Sequence, residues 1–346
     1  MEKMKKFFTP NTIILLAMVV LYTVISIMVF GNLASRQLLN MIISVSCYIV
    51  LAISLNMVVG LLGELSLGHA GFMSVGLFSG CLISIAMVDA FPELPLFVRL
   101  PLAMVAGGCF AAVVGFIVGL PALRLKGDYL AIVTLACGEI IKNIINNLPI
   151  TGAALGLNTM KVYSNTKTLL PYAILLVFLT LFISMNFKNS RHGRAVMAIR
   201  DNRIAAEATG INVTYYKLLV FIMAAFLAGM AGVLYGHNLP NIKASTFDYN
   251  MSIEILVIVV LGGMSNIGGS IIAAIVLRAL PEILREFSDY RMLAYSVLLI
   301  LIMILNANPK FNELKGRWSI KNFVEWVKKR KKDRAEETTE GGLDHE

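Results

Sequence analysis

The sequence predicts an all-α, polytopic membrane protein of about 10 transmembrane segments, some of them discontinuous. Three observations predict it. Of the 346 residues, 58% are hydrophobic and only 15% charged, against about a quarter charged in soluble domains, and mean hydropathy is +0.77. Apolar runs of the ~20 residues that a helix needs to cross a hydrocarbon core recur along the chain. The alternation expected of barrel strands is absent. Helices are then the elements that can satisfy the backbone inside a bilayer.

Taken in order, the first span is expected at 11–30, after a basic start that places the N-terminus in the cytoplasm. This run is too long for a typical signal-peptide core, so it is read as retained. The second span covers 38–59. Residues 60–80, GLLGELSLGHAGFMSVGLFSG, are rich in Gly and Ser, and apolar character resumes to 88. Asp89 and Glu93 mark an outer turn. The next span is 101–120, with Gly115 and Gly119 spaced for close helix contact. Arg124 and Lys126 return the chain inside. Residues 129–148 form a weaker span with Thr134, Glu139 and Lys142, and 149–168 has turn chemistry suited to the outer side. A span at 169–187 then delivers a basic stretch to the cytoplasm.

That stretch, 188–217, carries six Lys or Arg against Asp201 and Glu207. It is expected to hold a short surface helix ended by Gly210, with Met197, Ile204, Ala208 and Ile211 on one face and Arg200, Arg203 and Glu207 on another. The bland alternative is a solvated positive-inside loop. The next span, 215–236, has a stripe of Ala225, Gly229, Gly232 and Gly236 for tight packing. After an outer loop at 237–250, two apolar pieces, 251–261 and 270–284, flank the break GGMSNIGG, and the last span is 290–305. Residues 309–334 hold ten Lys or Arg and three acids, which puts the tail inside. Cytoplasmic termini require an even number of crossings, so the two pieces around the break count separately and the break is a hairpin or re-entrant point. The division is therefore a membrane domain at 1–308, with its cytoplasmic loop at 188–214, and a basic, then disordered, tail at 309–346.

Composition also excludes classes. The net charge of +9 sits in loops and tail, which is a topology signal and not a nucleic-acid one. The four cysteines are small packing residues in or beside apolar runs, without a CxxC pair. HExxH, GxSxG, dinucleotide and phosphate-loop motifs are absent, and the chain has no Gly-Lys dipeptide. The protein is read as no enzyme, without metal or cofactor of its own; an active transporter of this kind draws on a separate ATPase or an ion gradient. The path candidates are Glu64, Ser66, His69, Glu139 and Asn266, with Glu254 as a third carboxylate near an apolar run. Gly63 to Gly68 and Gly263 to Gly268 share a G-x4-G break after an apolar helix, and paired breaks point to a substrate path.

Five stretches, 60–80, 127–144, 193–221, 225–237 and 252–277, resemble in order and spacing the longer, M-type membrane permeases of bacterial ABC importers for branched-chain amino acids. The resemblance implies an ABC importer permease bundle in the inner membrane. The implied partners are two ATPase subunits that hold the ATP, a second, H-type permease and an extracytoplasmic amino-acid-binding protein. It also implies a coupling helix with an E-A-A-x-x-x-G pattern that docks on the ATPase. The matching residues are Ile204, Ala205, Ala206, Glu207, Ala208, Thr209 and Gly210, with Ile204 departing from the acidic first position and Arg200 and Arg203 as further polar contacts. The same family shape serves urea, short amides and other amino acids. A gradient-driven carrier using Glu64, Glu139 and Glu254 is the alternative of a different mechanism, and a membrane-embedded enzyme is the remaining class.

Overall fold

The computed structural model describes residues 36–125 and 127–283, together with single helical positions at 293, 296, 297, 300 and 304. The chain divides into two units, 1–283 and 284–346, and the account below concerns the first. The spans expected at 11–30 and 290–305, Lys126, the tail and the boundary at 308 lie outside the described residues.

The first helix, α1 (Arg36–Asn56), runs straight into a π-helical turn, Met57–Leu62, closed by Gly63. Next come α2 (His69–Ala90), α3 (Leu96–Ala122) and α4 (Asp128–Asn147). A short strand β1 (Leu157–Asn158) precedes α5 (Thr166–Asn189), α6 (Arg191–Asp201), α7 (Arg203–Ala208) and α8 (Val213–His237). Strand β2 (Asn241–Ile242), α9 (Tyr249–Gly262) and α10 (Ile267–Ile283) complete the unit. The fold class expected from composition is the one observed. Six stretches among the described residues are long and apolar enough to cross a membrane, and Ile267–Pro281 is a shorter apolar helix. The weaker span at 129–148 is a helix, α4, but is not one of the six.

Two helices organise the packing. The span built on α1, Gln37–Leu62, is mostly buried and touches α5, α8, α9 and α10, while α8 packs along α2 and α3. Helices in lipid gain little from hydrophobic burial against one another, so close backbone approach has to hold them together. The expected stripe does this. A Cβ at Gly76 of α2 would fall on the backbone of Gly229, Gly232 lies against Met73 and Leu77, and Gly236 against Cys81. Ala225 meets Gly115 of α3 in the same way. On the outer face of α3, Phe97, Phe110, Val113 and Ile117 are exposed, an apolar exterior of the kind a bilayer covers.

Loops at one end of the bundle are tied together. Strands β1 and β2 pair antiparallel with Leu157 opposite Ile242, the Thr159 hydroxyl donates to the Leu239 carbonyl, and Lys161 pairs with Asp89 at 2.8 Å. The 149–168 and 237–250 loops therefore form one capped edge.

Both expected breaks are present. After Gly63 the chain is not helical, and it climbs back along α1 so that His69, the first residue of α2, lies beside Ser54, with His Nε2 2.7 Å from the Ser hydroxyl. At the second break α9 and α10 form an antiparallel hairpin in which Gly262 abuts Gly269 and Ser270. The segment 251–283 is thus two short helices, α9 and α10, joined at the break.

Candidate functional site

At a helix break, backbone groups lose their intrahelical partners, and in a membrane protein side chains have to replace them. The two breaks here come together and share their replacements. Asn56 accepts from the Ser265 backbone N–H at 2.9 Å and donates to the Ser270 hydroxyl at 2.9 Å. The Ser265 hydroxyl donates to the Gly60 carbonyl at 2.5 Å. Gly60 lies in the π-helical turn, and such turns release carbonyls from the regular ladder. Gly63 (φ +77°) and Gly263 (φ +90°) reverse the chain at the two breaks, in a region that other residues enter at a cost. Ser265 also sits at positive φ, +67°, where only its several hydrogen bonds offset the strain.

Three cations of the basic stretch 188–217 reach into this junction. Arg200 Nη1 donates to the Gly60 carbonyl and to the Ser265 hydroxyl, each at 2.9 Å, so one guanidinium spans both breaks. Its Nε and Nη2 hold Asp201 at 3.0 and 2.9 Å, and its aliphatic stem covers Gly63. Lys188, at the end of α5, donates to the Ser265 carbonyl at 3.1 Å. Lys217, in the first turns of α8, is buried in an ion pair with Glu64.

The stretch between these anchors corrects the single short helix expected there. It forms two helices, because Asn202 is extended (φ −155°, ψ 102°) and its side chain caps α7 by accepting from the Ala205 N–H at 3.1 Å. Ser190 and Asn212 cap α6 and α8 in the same manner. The buried face is Gly193, Val196, Ile199 and Ala206, not Met197, Ile204, Ala208 and Ile211. The charged face also divides. Arg203 pairs with Glu207 at 2.9 Å, as its i,i+4 spacing predicts, while Arg200 turns the other way. Outward from α7 stand Ile204, 80% exposed, Ala205 and Glu207. Gly210 (φ +83°) turns the chain toward α8.

The path candidates separate. Glu64 is joined to the breaks through Lys217, a partner that pattern reading missed because a lysine four residues into a span reads as an interfacial cation. Ser66 is buried and its hydroxyl has no hydrogen-bond partner among the described residues. His69 is buried against Ser54. Thr134 of α4 accepts from the Leu67 N–H at 3.0 Å and Ser252 of α9 from the Ala70 N–H at 3.2 Å, so both serve the first break. Glu139 lies apart, paired with Lys142 and accepting from the Tyr249 N–H. Asn266 is exposed and accepts from the Gly269 N–H at 3.2 Å, so it caps α10. Among the described residues no group of acidic, His and Cys side chains is arranged to hold a metal.

Comparison with known proteins agrees with this architecture. The family described as "Branched-chain amino acid transport system / permease component" matches residues 37–307. The chain is 35% identical over 288 residues to the high-affinity branched-chain amino acid transport system permease protein LivM of Salmonella typhimurium, covering 74% of this chain and 66% of the relative. The LivM protein of Escherichia coli K12 matches with the same identity and coverage. The ribose import permease protein RbsC of Haemophilus influenzae is more distant, 24% identical over 310 residues, 85% of this chain and 91% of its own. The chain thus spans just under two thirds of the length of the LivM relatives. No solved structure matches it.

Proposed function

This chain belongs to the permease component family of branched-chain amino acid transport systems, and from that membership we propose that it is the membrane-spanning permease subunit of an ABC importer for leucine, isoleucine and valine. The observation that carries the reading is the family match across 37–307, supported by 35% identity to LivM proteins. Its partners in this reading are two ATPase subunits, a second, H-type permease, an extracytoplasmic amino-acid-binding protein and the bilayer of a bacterial inner membrane. ATP is held by the ATPases and not by this chain.

The stretch 188–217 is then the cytoplasmic coupling segment. Its outward contacts, Ile204, Ala205, Glu207 and Arg203, meet the ATPase, with Ala206 and Gly210 shaping the element that carries them. Arg200 passes movement of α6 and α7 to the two helix breaks. Coupling is a free-energy difference between states, so this link transmits only if its hydrogen bonds differ between the inward-open and outward-open forms. A junction of two breaks suits that role, since each break can exchange partners without melting a helix. The gradient-driven carrier has less support, because Glu64, Glu139 and Glu254 are each held in an ion pair.

The test is uptake of labelled leucine, dependent on ATP, in cells with and without the gene. Uptake lost with the gene supports the assignment, and unchanged uptake removes it. A sugar importer is the second reading, favoured by the coverage of the ribose permease relative, and labelled ribose in the same assay decides between them.

A further inference from the structure

A second charged cluster lies inside the bundle, away from the coupling segment. The Arg278 guanidinium of α10 stacks over the Tyr48 ring of α1, 4.1 Å from its centroid. Its Nη1 donates to Glu254 Oε1 of α9 at 3.2 Å and its Nε to the Ser44 hydroxyl at 3.2 Å. The Tyr48 hydroxyl donates to Glu254 Oε2 at 3.4 Å, and Tyr235 of α8 lies close to Arg278. Four helices therefore converge on one guanidinium and one carboxylate.

Depth and exposure make this cluster more than a structural ion pair. Tyr48 is about midway along the apolar Gln37–Leu62 span, so the cation stacked on it lies at the level of that span's middle and not at either end. The Arg278 and Glu254 side chains are each 26% exposed at the surface of this chain. Charged groups at that depth face a wet cavity or protein and not lipid, because hydrocarbon solvates them poorly. The exposed edge of a guanidinium with a carboxylate beside it presents donors and an acceptor together, with no net charge.

We propose that Arg278 and Glu254, stacked and positioned by Tyr48, are a binding site on the translocation path for the zwitterionic head of an α-amino acid. The substrate carboxylate accepts from Arg278 and its ammonium group donates to Glu254. A neutral sugar has neither charge and can offer the pair only hydroxyl hydrogen bonds, without the two charge-assisted contacts. This deepens the importer reading above and rests on it.

The experiment uses the assembled complex with its ATPases and binding protein in proteoliposomes. The parent complex is first shown to take up leucine with ATP; if it does not, the importer reading fails before the site is addressed. Given uptake, Arg278→Gln and Glu254→Gln each lose it while ATPase subunits still co-isolate, and Arg278→Lys recovers part of it. Independently, S44C in the assembled complex reacts with a membrane-impermeant thiol reagent beyond the parent background, and leucine with loaded binding protein slows that reaction. Wild-type uptake by Arg278→Gln overturns the site. So does an S44C thiol that stays unlabelled in an intact complex, because lipid or a partner subunit then covers the face. If the Arg278 variants do not assemble, the S44C labelling and its protection by leucine still decide.

Discussion

Arg200 and Ser265 are 65 positions apart in the chain, yet the guanidinium of one holds the hydroxyl of the other at 2.9 Å and, with the same nitrogen, the Gly60 carbonyl. One side chain on α6 is thereby joined to both interrupted helices. Lys188 and Lys217 bracket it, so both ends and the centre of the basic stretch are fixed to the same junction. The ordinary reading of such charges is a solvated loop that obeys the positive-inside rule. Here three of the cations face inward, and the residues between them form a rigid, capped pair of helices.

The Glu64–Lys217 pair gives the first prediction. Both side chains are largely buried, at 14% and 4% exposure, and removing one partner of a buried pair costs about 3–5 kcal/mol because the other charge is left uncompensated. Lys217→Met is expected to lower the unfolding midpoint of the purified protein in detergent. The double variant Glu64→Gln with Lys217→Met is expected to recover most of the loss. Equal loss in the single and double variants would show that the pair is not what stabilises this contact.

At the α3–α8 contact, a side chain at Gly229 would collide with Ala111 and approach the Gly107 carbonyl at 3.0 Å. Overpacking at a tight contact costs about 1–3 kcal/mol. Gly229→Val is expected to reduce thermal stability and membrane yield, measured against Gly127→Ala, where the added Cβ meets open space but the backbone has positive φ. A wild-type melting curve for Gly229→Val would mean the helices are held by other contacts.

Ile204 tests the proposed docking of α7 on an ATPase. It is 80% exposed, and exposed substitutions usually change stability by no more than about 0.5 kcal/mol. Ile204→Lys, which puts at that position the charge opposite to the acidic residue of the E-A-A-x-x-x-G pattern, is therefore expected to fold normally while co-isolating less ATPase. Unchanged ATPase capture would move the docking contact away from α7.

The sequence made the membrane class and nearly every described helix legible, because apolar length is a property of composition that survives any packing. It also marked both helix breaks, since Gly63 and Gly263 stand where the chain must take a positive φ. The stripe from Ala225 to Gly236 was readable for a similar reason, as only small residues at that spacing permit the approach seen at Gly76. The junction itself was not readable. Asn56, Gly60 and Ser265 meet through tertiary contact, and no periodicity relates Arg200 to residues 140 positions before it. The division of the 188–217 stretch into two helices was present in the caps Ser190, Asn202 and Asn212, but the apolar pattern running through Met197 and Ile204 masked it. Arg278 and Lys217 were passed over because a single cation in or beside an apolar run names no partner in the sequence, and only the fold reveals that they face carboxylates.

The most direct test of the coupling account is the ratio of leucine transported to ATP hydrolysed by the Arg200→Gln complex in proteoliposomes, compared with the wild type. Loss of the guanidinium frees both helix breaks from α6 while leaving the outward face of α7 intact. The account predicts that ATP hydrolysis continues and transport falls away, so the ratio collapses. Transport and hydrolysis that fall in equal proportion, with the ratio unchanged, would contradict it.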